Sequence, residues 1–258
     1  MRVGAFGGLF KKPAFIYGAL SVVVGLALWE AAARWLSNPF FLAAPSDVFH
    51  VLVEFFEGPV YPHLWISFVE FAIGLALGAT VGVGLGIVMA LNDKVRFVCD
   101  PWIAALYAMP SVALAPLLIL WFGVGIWSKV AVVFLVTSIP ILVNTLVGIK
   151  GADVRLLETA RSFGASTWQE IWFVRLPWSV PSLVAGLRLA VGRGLVGIVV
   201  GELFGARAGI GFLIFDASQR FDSASLLAAV TILSVAGVAS VYGLEALERR
   251  VGGWKGLS

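Results

Sequence analysis

The sequence predicts an all-α integral membrane protein of six transmembrane helices, read as a single domain over residues 1–258. Three observations carry that prediction. Hydrophobic residues make up 60% of the chain and charged residues only 13%, about half the charged share of a soluble domain. Several apolar stretches approach or exceed the roughly 20 residues that cross a bilayer as a helix. A polar insert over 150–178 then separates two strongly apolar stretches, as a water-facing excursion between two spans would.

Apolar runs and their breakers place the spans at about 14–36, 65–91, 99–121, 127–149, 179–204 and 225–244. The first has two readings, because basic residues, an apolar run and Ala31-Ala32-Ala33 also resemble a secretory signal with its cleavage site. Its length, and the lack of a clear small-x-small boundary, favour a retained helix. Residues 37–64 follow as an external segment, with Val48–Glu57 expected as an amphipathic helix on the membrane surface.

The second span carries Gly74, Gly78, Gly82 and Gly86 at four-residue spacing. That ridge lets another backbone approach closely, whether within one subunit or between two. Pro110, Pro116 and Pro140 interrupt spans three and four. Proline is tolerated in membrane helices whose neighbours satisfy the freed carbonyls, so both spans are expected to stay whole.

The fifth span holds Arg188, Arg193 and Glu202, with Gly192, Gly194, Gly197 and Gly201 thinning its surface. Ionisable groups at lipid depth are costly and face a cavity, a partner or the interface. Arg188 is close enough to the span's end to snorkel, whereas Arg193 is deeper and the better pathway residue. Glu202 reads either as a pathway carboxylate or as an interfacial one tied to backbone or to Arg207. Nine positions put Arg193 and Glu202 about half a turn out of phase, so they are not expected to pair.

The insert itself reads as two short helices. Asp153 is placed to cap the first, and Gly164 suits the left-handed residue just past its end. Ser166 with Gln169 reads as a capping box opening the second, which is expected to stop before Pro177.

Charge orients the chain. Of the 18 basic residues, Arg2, Lys11, Lys12, Lys94, Arg96, Lys150, Arg155, Arg161, Arg175, Arg249, Arg250 and Lys255 fall on one predicted side. Arg34, Lys129, Arg207 and Arg220 fall on the other. The excess assigns both termini, the 92–98 loop and the insert to the cytoplasm, and leaves nucleic acid unnecessary as an explanation of the basic balance. Chemistry is sparse. Cys99 is the only cysteine, so no intrachain disulfide forms. No P-loop, no His-Glu-x-x-His helix and no Ser-His-Asp order occurs, and His50 and His63 lack metal-ligand spacing. Several of the 10 tryptophans, such as Trp35, Trp65, Trp102 and Trp178, lie near span ends and fit an interfacial belt.

Glu158-Thr159-Ala160, Gly164, Val174 and Leu176-Pro177 resemble the loop that marks permease subunits of bacterial ABC importers. Thr159 stands for the pattern's middle Ala and Val174 for its Ile. The stretch from Met109-Pro110 through Pro116 to Trp121-Phe122-Gly123 and Gly125, and Gly201-Glu202 with Gly205 and Gly209-Ile-Gly211, are similar to the nitrate/sulfonate/taurine branch of those permeases. The resemblance implies a type I importer permease fold that works as a homodimer with a pair of ATPase subunits. It also implies a periplasmic substrate-binding protein, with ATP and Mg held by the ATPases and no cofactor or metal on this chain. It makes the chain a multi-pass protein of the inner membrane and not itself an enzyme. Glu158, Thr159, Ala160, Arg161, Gly164, Leu176 and Pro177 become the expected ATPase-coupling residues. The candidate substrate pathway comprises Arg193, Glu202, Met109 and Asn144, for a small solute such as a sulfonate or nitrate. The rival reading is an ion-gradient transporter coupled through Arg193 and Glu202, which needs an internal repeat that the sequence does not show convincingly.

Overall fold

The computed structural model describes residues 13–36, 42–58 and 60–251. Arg2, Lys11, Lys12 and Lys255, counted above in the orientation argument, lie outside them. Every regular element among the described residues is helical, and the chain divides into two compact units, Met1–Val60 with Leu213–Val230, and Tyr61–Phe212 with Thr231–Ser258.

In the first unit, α1 (Pro13–Leu36) leaves most of its apolar side chains uncovered, as a lipid-facing helix does. Its last turns are tied down by polar bonds. Trp29 Nε1 donates to the Ala43 carbonyl at 3.1 Å, and Glu30 accepts from the Ser46 amide at 3.1 Å and its hydroxyl at 2.9 Å. Helix α2 (Pro45–Phe56) starts with proline in its first turn, where the missing N–H has no intrahelical acceptor. The expected amphipathic helix is therefore present: Val48 is buried against Ala43 and Ala228 while Phe49 and Val53 remain exposed.

The second unit is organised around three long helices, α3 (Val60–Leu91), α6 (Ile126–Lys150) and α9 (Leu176–Leu203). Helix α6 is buried along most of its length, and both neighbours meet it through glycine. A Cβ on Gly74 would sit 2.6 Å from Val133 Cβ, one on Gly82 2.7 Å from the Ser138 carbonyl, and one on Gly86 2.7 Å from Thr145 Cβ. The ridge therefore serves packing within the chain. From the other helix, Gly186 lies as close to Asn144, and Gly197 to Val136, with Cβ positions at 2.6 and 2.8 Å. Backbones this near replace the hydrophobic drive that lipid cannot supply. Hydroxyls on α6 bond back to their own helix, Thr137 to Val133 at 2.8 Å and Thr145 to Ile141 at 2.7 Å, so none is left unsatisfied at membrane depth.

The third expected span is not whole. Helix α4 (Asp93–Ala108) ends before Met109-Pro110, a 3₁₀ turn covers Ser111–Leu114, and α5 (Ala115–Phe122) leaves at 86°. Pro110 is exposed and holds Met109 extended at ψ 134°, as residues before proline prefer. Pro140, buried within α6 between glycine-faced neighbours, leaves its helix continuous. Among the described residues, five helices are long and apolar enough to cross a bilayer, or six if the bent pair counts as one broken span rather than a re-entrant loop.

The hairpin that follows α6 consists of α7 (Val154–Ser162) and α8 (Thr167–Glu170). The second helix does not stop before Pro177. It runs through a π-helical turn, Ile171–Arg175, directly into α9. The wide turn bonds the Leu176 amide to the Ile171 carbonyl and delivers Pro177 to the first turn of α9, where proline is tolerated. Two more helices, α10 (Ile210–Gln219) and α11 (Ser223–Val251), complete the chain.

Candidate functional site

Three places carry polar chemistry, and the hairpin is the first. Asp153 caps α7 by accepting from the Arg155 amide at 2.9 Å. Gly164 has φ +78°, and the paired bonds from Gly164 to Arg161 O (2.8 Å) and from Ala165 to Ala160 O (3.0 Å) close the helix end as a Schellman motif. Ser166 and Gln169 exchange the two capping-box bonds, at 2.7 and 3.4 Å. The anchor between the two helices went unnoticed in the sequence. It is Glu170, buried beside Ile171 although Trp168 and Gln169 before it are exposed, whose carboxylate takes Arg161 Nε at 2.7 Å and Nη2 at 3.2 Å, with Arg175 at 3.9 Å. A bidentate guanidinium–carboxylate fork fixes angle as well as distance, and the bond raises the Arg161 pKa above its ordinary value.

With Arg161 committed to that fork, Glu158 and Thr159 remain on the exposed face of α7, and the Thr159 hydroxyl bonds back to Arg155 at 2.7 Å. Leu176 and Pro177 sit at the root, in the first turn of α9. Around this polar frame lie large uncovered aromatics. Phe163 is 88% exposed and Trp168 70%, with Trp172 and Phe173 beside them. Exposed apolar patches of this kind mark surfaces that meet protein or membrane.

The second place is a cavity of about 470 Å³ at the break in the third span. Met109 and Pro110 line it from one side and Arg193 from the other. The Arg193 guanidinium lies 5.1 Å above the Tyr107 ring and donates to its hydroxyl at 3.3 Å. No carboxylate pairs with it among the described residues. Gly192 opens the cavity wall, while Gly194 is filled by Phe71 and Thr137 on the opposite face. Two of the four expected pathway residues thus come together. Asn144 does not join them: it packs against Gly186 and donates to the Pro140 carbonyl at 2.8 Å.

Glu202 belongs to the third place, at the end of the long helices away from the hairpin. It is 1% exposed and faces away from Arg193, as their phase requires. Its carboxylate accepts from the Ser67 hydroxyl and from the Gly211 amide, both at 2.5 Å, and makes no pair with Arg207. Ser67 accepts in turn from the Ile210 amide at 2.8 Å, and His63 Nδ1 accepts from Gly209 at 3.0 Å. Gly209, at φ +120°, lies so close over the carboxylate that no Cβ fits. Glu202 is thus wired to backbone, one of its two sequence readings, and clasps the loop 204–209 and the first turn of α10. Glu70 and Lys129, 3% and 2% exposed, are buried beside it. Neither was singled out from sequence as part of a site, since only tertiary packing brings α3, α6 and α9 together here.

The chain is similar to known proteins in sequence and in fold. The family described as "Binding-protein-dependent transport system inner membrane component" matches residues 82–253. The formylaminopyrimidine transport permease protein ThiX of Halalkalibacterium halodurans is 34% identical over 230 residues, 89% of this chain and 92% of that one. The taurine transport system permease protein TauC of Escherichia coli is 31% identical over 254 residues, 96% and 92% of the two chains. Among solved structures, the MetNI methionine ABC transporter superposes with a TM-score of 0.66 at 15% identity, over 74% of this chain and 95% of that one. An amino acid ABC transporter follows with 0.60 at 16%, over 73% and 92%.

Proposed function

The chain belongs to the family of binding-protein-dependent transport system inner membrane components, and from that premise we propose how this member works. It is the membrane subunit of an ATP-driven ABC importer, and as in its relatives the hydrolysis is done by partner subunits. Two copies form the path, a pair of ATPases docks on the two hairpins, and a periplasmic binding protein delivers the solute. The observation that carries the coupling role is the hairpin: a capped, fork-braced frame with Glu158 and an uncovered aromatic face on one rigid body. ATPase closure pushes that body, and the π-helical turn joins it directly to α9, which lines the Arg193 cavity. Coupling then needs two arrangements of the packed helices whose balance ATP binding shifts.

The solute is a small anion. Support comes from Arg193, a cation at membrane depth that faces a cavity and whose partner among the described residues is the aromatic Tyr107. The name of the taurine-transport relative points the same way, toward a sulfonate. Arg193→Gln is expected to lower solute-stimulated uptake about tenfold or more, the worth of a ~1.5–3 kcal/mol hydrogen bond to a charged group, while assembly with the ATPase and basal hydrolysis persist. Uptake at the original rate removes Arg193 from the path.

The basic excess supports an orientation with the hairpin in the cytoplasm. Lys150, bonded to Asp93 at 2.9 Å, and Arg96 mark the same end of the bundle. A cysteine introduced at Ser166 should be labelled only from the cytoplasm and one at Ser46 only from outside. Labelling of both from one side contradicts the six-crossing arrangement.

A further inference from the structure

At the end of the bundle away from the hairpin, side chains of other helices capture three consecutive backbone amides. Gly209, just before α10, donates to His63 Nδ1 at 3.0 Å, Ile210 to the Ser67 hydroxyl at 2.8 Å, and Gly211 to the Glu202 carboxylate at 2.5 Å. The first amides of a helix have no intrahelical acceptor, so α10 opens on a cap that α3 and α9 supply between them. His63 and Ser67 stand four positions apart and therefore share one face of α3. The His63 ring also stacks on Phe212, with centroids 6.0 Å apart and planes within 3° of parallel.

The bonds fix the protonation of the ring. An amide N–H can only donate, so His63 Nδ1 carries no proton and the neutral imidazole holds its hydrogen on Nε2. A protonated ring donates from both nitrogens; it has no lone pair for the Gly209 amide and sets two N–H groups against each other. Around the cap, α3 presents Glu70, α9 Glu202, α6 Lys129 and the loop 204–209 Arg207. Glu70 is hydrogen-bonded to Glu202, so these two carboxyls share a proton, and Lys129 stands beside the charge that remains. We propose that His63 is an external acid switch: its neutral ring caps α10 and fixes the loop 204–209, and protonation from outside releases that loop with Arg207. The proposal rests on the orientation that puts the hairpin in the cytoplasm, and it goes beyond the importer reading by making uptake depend on external pH. The bond contributes only while the ring is neutral, so the cap is whole at mildly alkaline pH and is lost as pH falls through the imidazole range of about 5 to 8.

Electron paramagnetic resonance of the permease–ATPase complex in vesicles reads the loop directly, from a nitroxide on Ala206→Cys in a Cys99→Ala chain. With pH varied only on the face opposite the hairpin, the label should be held at about pH 8 and mobile at about pH 5.5. His63→Gln, whose amide oxygen accepts a hydrogen bond at either pH, should keep the label held at both. Uptake driven by ATP should fall about threefold or more on the same acidification, and should not fall in that variant. A label indifferent to pH, uptake indifferent to pH, or the same acid response in His63→Gln overturns the proposal, the last by assigning the response to the carboxyl pair. Should the variant fail to assemble, solid-state nitrogen NMR of the His50→Gln chain decides, because His63 is then its only histidine. At alkaline pH that ring must be neutral with its proton on Nε2, and a proton on Nδ1 contradicts the cap. Failure of the importer reading is separately visible, as a label that answers acid in a complex without ATP-driven uptake at any pH.

Discussion

Glu158→Lys is expected to leave insertion and expression unchanged and to cut ATP-driven uptake about thirtyfold or more. Glu158 stands on the exposed face of α7, where Arg161 is committed to Glu170 and feels Glu158 only as the last of the causes that raise its pKa, so little structure is lost with it. If it pairs with a basic residue of the docked ATPase, reversing its charge forfeits a desolvated pair worth ~2–5 kcal/mol, and 1.4 kcal/mol is about tenfold. Gly164→Val should act in parallel for another reason. At φ +78° a β-branched residue is strained, and the Schellman closure that orients Phe163 and α8 is lost. Uptake at the original rate by both variants, at matched membrane levels, removes the hairpin from the coupling path.

The second large effect lies in the core. Replacing both Gly82 and Gly86 by Leu should lower the stability of the detergent-purified chain by about 2–6 kcal/mol, at roughly 1–3 kcal/mol for each overpacked site. The nearest atoms there include the backbone carbonyls of Ser138 and Leu142, which cannot rotate out of the way. Leucine at Gly84 is the control, because that position meets open space. The measurement is the denaturant midpoint of the three chains. A double variant that unfolds with the control would mean that α3 and α6 do not meet through this ridge.

Legibility in the sequence followed the range of each interaction. The hairpin's caps, at Asp153, Gly164 and Ser166–Gln169, were readable to the residue, because capping depends on neighbours three or four positions away. The glycine ridge was readable as a face but not as a contact: spacing tells which side of a helix is thin, and nothing about which helix arrives. Prolines showed the same limit. Pro110 and Pro140 look alike in sequence, yet exposure at one and burial between two helices at the other separate a break from a continuous span. The buried charges were the least legible. Glu70, Lys129 and Glu202 lie far apart along the chain, and Lys129 counted in sequence only as an external basic residue. Glu170 was hidden for a subtler reason, since a charged residue in a polar helix gives no sign that its partner has buried it.

The central claim is that this chain converts ATP hydrolysis by its partners into solute movement through a rigid hairpin. Reconstituting the permease with its ATPase and binding protein in vesicles, and measuring solute accumulation with ATP or with an imposed ion gradient as the sole energy source, tests it most directly. The account predicts accumulation with ATP alone, abolished by Glu158→Lys while the variant complex retains basal hydrolysis. Accumulation driven by the ion gradient without ATP, and indifferent to Glu158→Lys, would contradict it.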